Sequence, residues 1–392
     1  MALPLRYSLG HLWQRRLRTG FTVGVVAGVV LATSLFTGLV SSLRRTVAST
    51  GRPDNLIVLR KGATNDGSSL VSLEAYQNIR HLPGIARSSD GRPLVSPELV
   101  VQPFFRTSDG GRENVLVRGV TPVALEVHDR VKIVAGRMFQ TSHGEAIVGR
   151  RVAGRYVGAT LGSELHFGRS VWKVVGLFES GGSSFESEVW VDVRELANDT
   201  RRTPPFSGLR VRAAPGADLE ALARRIGADP RYALEASPEV DYYAKQAESA
   251  KTFYGIALGL AVLAGVGAAF GAANTMYASV QARTREIGTL RALGFSRRSI
   301  LAAVLLESLA IGAIGFALGG ALAMLAAVLI THALGGVAFG AATFSTNVVA
   351  LRVGAFDLAV GALLATAIAL AGGLFPAARA ARLKPAEALR HA

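Results

Sequence analysis

The residues best suited to a specific interaction lie in one basic run near the middle of the sequence, Val280–Gly294. Its apolar members Ile287, Leu290 and Leu293 recur at helical spacing, and arginines with one glutamate occupy the other side. Gly294 at the end of the run is a suitable C-cap. A short basic amphipathic helix either lies among lipid headgroups or contacts a protein partner. The run therefore predicts a contact element.

Patterns that would indicate catalysis or a bound cofactor are missing from the sequence. It contains no cysteine, which excludes disulfides, thiolate metal sites and a cysteine nucleophile. It also lacks the Gly-Lys-Ser or Gly-Lys-Thr of a Walker A loop, and it lacks the His-Glu-x-x-His and Gly-x-Ser-x-Gly motifs. We therefore expect no catalytic residue, metal or cofactor in this chain, and we disfavour a membrane-anchored enzyme.

Four long apolar stretches predict membrane-spanning helices. A bilayer core of about 30 Å needs about 20 apolar residues at about 1.5 Å rise per residue, and the mean hydropathy of +0.33 agrees with a membrane protein. The alternative for the first stretch is a cleaved signal peptide, but its core exceeds the usual apolar length and no small-residue cleavage site follows. The predicted spans are residues 21–40, 253–276, 300–330 and 358–375.

The distribution of basic residues predicts the orientation. Most of the net charge of +15 lies in three segments, namely an N-terminal amphipathic segment 1–20, the run 280–298 and the tail 376–392. An even number of spans places all three on one side, and the positive-inside rule makes that side the cytoplasm. The high net charge is thus topological, and we expect no nucleic-acid partner.

The segment 41–250 is then predicted to lie outside the membrane, with a short external loop at 331–356. Its β-type runs and helical periodicities predict a mixed α/β domain in two lobes, the second spanning roughly residues 121–202. We expect its many carboxylates to lie on solvated faces. A stretch from Glu239 to Arg283 reads as one helix of roughly 67 Å, which predicts a rod running from this domain through the second span.

Two features inside the predicted spans indicate contacts between helices. Glycines recur at every fourth residue, a spacing that lets helix backbones approach closely, although glycine is also simply frequent here, at 44 of 392 residues. Glu307 lies about two turns inside the third span, where it either locks to a neighbouring segment or snorkels to the headgroups. The candidate packing glycines are Gly20, Gly24, Gly28, Gly255, Gly259, Gly267, Gly271, Gly315 and Gly319.

Several segments of the sequence resemble the hallmark motifs of MacB/FtsX-type (type VII) ABC transporter permeases. The likeness is most specific in Arg285–Gly294 followed by Ile300 and Glu307. It extends to segments elsewhere in the chain, namely Arg15–Thr19, Gly136–Phe139, Gly144–Gly149 and Pro376–Arg390. The fold class that follows is an α+β membrane protein, with four transmembrane helices and a large mixed α/β extracytoplasmic domain inserted between helices 1 and 2.

The resemblance implies a non-catalytic subunit of a dimer. In this family an ATPase, separate or fused, docks on the loop between helices 2 and 3, and its ATP-driven motion reaches the periplasm without passage of substrate through the bilayer. This sequence shows no fused ATPase, so a partner subunit would bind the ATP and Mg²⁺. The implied ATPase-coupling residues are Arg283, Arg285, Glu286, Ile287, Gly288, Leu290, Arg291 and Gly294.

The resemblance also implies the cellular location and the partners. We expect an inner-membrane protein with cytoplasmic termini, a periplasmic domain, lipid contacts, and a second permease protomer in a homodimer or heterodimer. A periplasmic adaptor or carrier is a further expected partner. Members export drugs or peptides, extract lipids or lipoproteins, or activate cell-wall hydrolases. Export or extraction of an amphiphile is the leading hypothesis, and an FtsX-like signalling subunit that activates a hydrolase is the alternative.

Overall fold

The computed structural model describes residues 16–333, 336–340 and 346–384. The chain divides into two compact units, a helical unit and a mixed α/β head. The head comprises Ser42–Ala250 and Thr331–Ala350, and the helical unit holds the remainder. The predicted fold class is confirmed. Most of the N-terminal segment 1–20, and residues 385–392 of the predicted tail, lie outside the described residues.

The helices and strands, in chain order, are α1 (Arg16–Ala48), β1 (Asn55–Arg60), α2 (Leu73–Ile79), β2 (Val95–Val101), β3 (Phe104–Arg106), β4 (Arg112–Asn114), β5 (Leu116–Val120), α3 (Ala124–Val127), β6 (Lys132–Gly136), β7 (Glu145–Gly149), β8 (Glu164–Phe167), β9 (Ser170–Glu179), β10 (Glu188–Asp192), α4 (Val193–Thr200), β11 (Gly208–Arg212), α5 (Leu219–Gly227), β12 (Leu234–Pro238), α6 (Glu239–Ala282), α7 (Thr284–Ala292), α8 (Arg297–Ala333), β13 (Val337–Gly340), β14 (Thr346–Val349) and α9 (Ala355–Arg382).

Four helices, α1, α6, α8 and α9, are long and apolar enough to cross a membrane. Each extends past its predicted apolar core, and α9 covers the start of the predicted tail. The reason is that a helix satisfies its own backbone hydrogen bonds in lipid and in water alike, so a charged residue marks the end of the apolar window and not the end of the helix. The helix α6 contains 44 residues without a break, which is roughly 66 Å.

Close glycine contacts join the helices of the helical unit. A Cβ atom added to Gly315 of α8 would lie 2.7 Å from Val26 Cγ1 of α1, and one added to Gly319 would lie 2.5 Å from the Ala27 carbonyl oxygen. Gly372 of α9 approaches α6 in the same way, at 2.7 Å from the Ala272 Cβ atom. The absence of side chains at these positions therefore sets the separation of the helices.

The head is built on one ten-stranded mixed sheet. Nine strands follow the order β12-β1-β11-β2-β5-β10-β7-β9-β6, and β8 also pairs with β9. The pairs β5–β10 and β7–β9 are parallel, and the remaining pairs are antiparallel. The predicted second lobe at 121–202 begins just after β5, yet β5 pairs with β10 inside that range, so the sheet is continuous across the predicted boundary.

Apolar side chains of strands along this sheet form the core of the head. Trp172 stacks on Phe167, and Trp190 packs beside Phe178 and Phe185. Part of the predicted external loop forms the β13–β14 hairpin, whose Val348 is hydrogen-bonded to Ser187 of the head. The hairpin thus belongs to the head.

Candidate functional site

The predicted contact run folds into α7, bounded by two backbone features. Arg283 leaves the helical region at φ −113° and ψ 16°, which separates α7 from α6. Gly294 takes a positive φ of 94°, the left-handed conformation that glycine adopts without strain, and it ends the helix. Residues 280–282 therefore belong to α6, so the independent contact helix is shorter than the predicted segment 280–298.

One face of α7 is packed against the long helices. Ile287 is buried with Val280, Ile300 and Val304, and Leu290 packs partly against the same cluster. Leu293, predicted to share this face, is 70% exposed, because α7 ends at Ala292 and Leu293 is its C-cap. Leu293 is therefore not part of the buried face of α7.

A buried ion pair fixes the break between α6 and α7. Arg283 Nη2 lies 2.5 Å from Glu307 Oε1 and also donates to Ser279 Oγ at 2.7 Å. Glu307 is only 5% exposed. Of the two sequence interpretations of Glu307, this geometry matches a lock to a neighbouring segment. A charge pair of this kind holds two helices at one angle, since breaking it leaves an uncompensated charge.

The other face of α7 is open. Arg285 and Glu286 are exposed, as are Arg297 and Arg298 at the start of α8. Arg291 is partly buried and donates from Nη1 to the Phe295 carbonyl oxygen at 3.0 Å, which ties α7 to the turn that follows it. The exposed face of α7 therefore carries side chains of both charge signs, and the opposite face is packed against the long helices. This arrangement suits docking of a protein partner.

The structure brings the candidate packing glycines into two groups. Gly315 and Gly319 contact α1, and Gly288 of α7 is buried. For the others, a Cβ atom would meet nothing within 4 Å in the described part of the chain. That second group lies on α1 and α6 and consists of Gly20, Gly24, Gly28, Gly255, Gly259, Gly267 and Gly271.

A second polar site, which the sequence did not predict, lies inside the head. Arg118 bridges Glu98 at 2.8 Å and Glu188 at 2.6 Å, while Arg210 lies 2.7 Å from Asp66. His128 Nε2 is 2.7 Å from a Glu98 carboxylate oxygen. These carboxylates are buried, so the expectation that head carboxylates lie on solvated faces is wrong for them.

The charges of this network compensate one another. Burial alone would raise the pKa of Glu98, but Arg210, His128 and Arg118 outweigh it and hold that pKa well below its usual range. Burial likewise opposes the shift at Asp66, and Arg210 with Arg118 lowers its pKa. No residue spacing in the sequence predicts such a site, because its members come from segments far apart in the sequence. Among the described residues, no group of three or more His, Cys, Asp or Glu side chains is arranged to hold a metal ion.

Two family models match the chain. Residues 19–229 match the MacB-like periplasmic core domain, and residues 258–385 match the FtsX-like permease C-terminal domain. The first match begins in α1 and continues into the head, and the second contains α7 and Glu307.

Several known proteins are similar along the chain. The macrolide export ATP-binding/permease protein MacB of Bdellovibrio bacteriovorus is 25% identical over 99% of this chain and 62% of its own length. The pyoverdine export ATP-binding/permease protein PvdT of Pseudomonas entomophila is 25% identical, over 96% of this chain and 58% of its own length. The chain thus spans about three fifths of these two relatives.

Another relative is covered almost completely. The uncharacterized ABC transporter permease YknZ of Bacillus subtilis is 24% identical over 99% of this chain and 98% of its own length. Among solved structures, the periplasmic region of MacB from Actinobacillus actinomycetemcomitans is similar over 51% of this chain and 94% of that one, with 10% identity and a TM-score of 0.39.

Proposed function

Since this chain belongs to the MacB/FtsX-type family of ABC transporter permeases, as its two family matches establish, we propose that it transmits force from an ATPase to its own head. The ATPase is a separate subunit that binds ATP and Mg²⁺ and docks on α7. Its closure displaces the long helices, and the head does the work outside the membrane. The chain itself performs no catalysis.

The observation that carries this proposal is the construction of α7. Buried Ile287 and the Arg283–Glu307 ion pair fix one face of α7 to the long helices. Arg285 and Glu286 of α7 are exposed. A contact helix that is fixed to the long helices transmits a displacement to them. A contact helix on a flexible loop would move without displacing them. Because α6 runs unbroken from Ala282 back to Glu239, the displacement has a helical route toward the head.

The names of two relatives support a proposal for the substrate class. Two of them are named for export of a macrolide and of pyoverdine, so we propose an amphiphilic substrate such as a drug, peptide, lipid or lipoprotein. The complex contains a second permease protomer, identical or related, and contacts membrane lipid and a periplasmic adaptor or carrier. It lies in the inner membrane with both termini cytoplasmic. Activation of a cell-wall hydrolase is not favoured, since these relatives are named as export or permease proteins.

The variant Glu286→Lys tests this function. It reverses the charge of a side chain that is exposed on α7, so we expect the chain to fold and reach the membrane normally. Export by cells and the ATPase activity of the purified complex should both fall, by about tenfold or more if the contact costs about 1.4 kcal/mol or more.

The matched control is Glu164→Lys, the same charge reversal at an exposed position of β8 in the head. It should leave both activities unchanged. Normal export together with normal ATPase stimulation in Glu286→Lys would refute the assignment of α7 as the docking element.

A further inference from the structure

The first residue of α6, Glu239, is completely buried in the head and holds three hydrogen-bond donors. Its Oε2 atom accepts from Asn55 Nδ2 at 3.0 Å and from the Arg52 backbone N–H at 3.1 Å. Its Oε1 atom accepts from Arg210 Nε at 3.2 Å. A carboxylate at a helix N-terminus is also favoured by the helix dipole. The start of α6 is thus bound to two separate parts of the head, the segment that follows α1 and the strand β11.

Two of these donors lie just after α1 in the chain. The helix α1 ends at Ala48, and Arg52 follows four residues later. Between them the backbone is tightly packed, since a Cβ atom on Gly51 would lie 2.9 Å from the Glu239 carbonyl oxygen. Thr50 Oγ1 accepts from the Ser184 N–H at 3.0 Å. The segment leaving α1 and the segment beginning α6 therefore meet at one carboxylate.

The third donor connects this carboxylate to the sheet. Arg210 of β11 is fully buried and also binds Asp66, whose backbone N–H donates to the Tyr242 hydroxyl at 3.2 Å. Tyr242, which lies one turn after Glu239 on α6, donates its own hydroxyl proton to the Asp66 carboxylate. Beyond Asp66 the network reaches Arg118, and through it the strands β2, β5 and β10.

Stability alone does not account for such a network. A buried ionic cluster is often no more stabilising than apolar residues of the same volume, but it specifies one geometry, because each charge must keep its partner. We propose that Glu239 is a positioning residue that joins the exit of α1 and the first turn of α6 to the sheet, so that displacement of α6 moves the sheet as a body. The transport consequence rests on the function proposed above, whereas the joint itself does not.

The joint can be tested in the full-length chain without its partners. Because the native sequence has no cysteine, Lys61→Cys and Lys245→Cys place one spin label beyond β1 and one on α6, both at exposed positions. Pulsed electron resonance in nanodiscs then measures the distance between them. Glu239→Gln keeps the shape and removes the charge, and Tyr242→Phe removes only the hydroxyl. Glu235→Gln is the matched control, an exposed glutamate on β12.

We expect the distance distribution to broaden, to roughly twice its width in Glu239→Gln and by less in Tyr242→Phe, since both loosen the first turns of α6. Glu235→Gln should match the parent protein. If Glu239→Gln fails to fold, the width in Tyr242→Phe decides. Unchanged widths in the folded variants would overturn the proposal.

A second measurement separates this proposal from the function it rests on. In the complex with the partner ATPase, Glu239→Gln should keep ATPase stimulation while export falls about tenfold, a loss equivalent to about 1.4 kcal/mol of coupling. Failure of the parent chain to stimulate the ATPase would contradict the proposed function and leave the distance result standing. Parent-like export in folded Glu239→Gln would contradict the positioning role.

Discussion

At the scale of single residues, Arg283 and Glu307 do more than neutralise each other. The arginine occupies the only non-helical position between α6 and α7, and the glutamate lies inside α8. The side chain of Arg283 is 16% exposed and the side chain of Glu307 is 7% exposed, so water can replace neither partner fully. The pair therefore selects one orientation of α7 among those that the break at Arg283 would allow.

Charge reversal of this pair should show the dependence of each side chain on the other. Arg283→Glu places two carboxylates together, and we expect it to destabilise the protein by about 3–5 kcal/mol, the cost of breaking a buried ion pair. The double variant Arg283→Glu/Glu307→Arg restores opposite charges and should recover much of the loss. Thermal unfolding in detergent measures both.

The control for this cycle is Arg298→Glu, the same reversal at an exposed position of α8. It should change stability by less than about 1 kcal/mol. If the double variant were as unstable as the sum of its two single variants, the pair would carry no interaction energy and the lock would be ruled out.

The head network gives a prediction for pH. Asp66 and Glu98 have folded pKa values below their ordinary ones because of their arginine partners. Their stabilisation is therefore complete above the unfolded pKa, near 4, and is lost as pH falls toward the folded values, by up to about 1.4 kcal/mol per pH unit for each carboxyl. The unfolding temperature of the head should hardly change from pH 7 to 5 and fall steeply below pH 4. Asp66→Asn should reduce that slope, and an unchanged slope would contradict the assignment.

At the scale of elements, the glycine faces of the long helices differ in what they contact. On α8 the close neighbours of Gly319 include a backbone oxygen, which cannot rotate away as a side chain can. On α1 the face of Gly24 meets no described atom within 4 Å. The same four-residue spacing in the sequence therefore corresponds to two different environments, and spacing alone could not distinguish them.

This difference predicts opposite effects of one substitution. Gly319→Ala forces α1 and α8 apart and should cost about 1–3 kcal/mol, as overpacking does. Gly24→Ala removes a flexible residue from a helix and should be neutral or stabilising by up to about 1 kcal/mol. Thermal unfolding of both variants in the same detergent gives the comparison. Equal destabilisation by the two substitutions would mean that the α8 contact does not set the separation.

The helix α7 shows which features helical periodicity can predict from the sequence and which it cannot. Ile287 and Gly294 could be assigned from the sequence, because helical spacing identifies a buried face and glycine identifies a cap. Leu293 could not, since its exposure depends on the residue at which α7 ends. The partner of Glu307 was also out of reach, because Arg283 is distant in sequence and is one of many arginines that could have paired with it.

At the scale of the whole molecule, the sequence predicted the four long apolar helices and the mixed α/β class of the head, but not the order of its strands. Hydropathy identifies a span because the bilayer sets a minimum apolar length, which few other structures require. The order of ten strands depends on contacts between distant segments, which no local pattern encodes. For the same reason no local pattern marks Arg118 and Arg210 as buried, although both are almost completely buried in the head.

The proposed transmission of force requires one orientation of the chain in the membrane, and single cysteines can establish that orientation. Asp109→Cys lies on an exposed turn of the head, and Leu293→Cys lies at the exposed end of α7. The positive-inside rule places the basic segments that flank the spans in the cytoplasm. A membrane-impermeant maleimide should therefore label Asp109→Cys in intact spheroplasts. It should label Leu293→Cys only after lysis. Labelling after lysis is the control for a reactive thiol. If intact spheroplasts labelled Leu293→Cys and spared Asp109→Cys, α7 would face away from cytoplasmic ATP, and no ATPase inside the cell could drive the head.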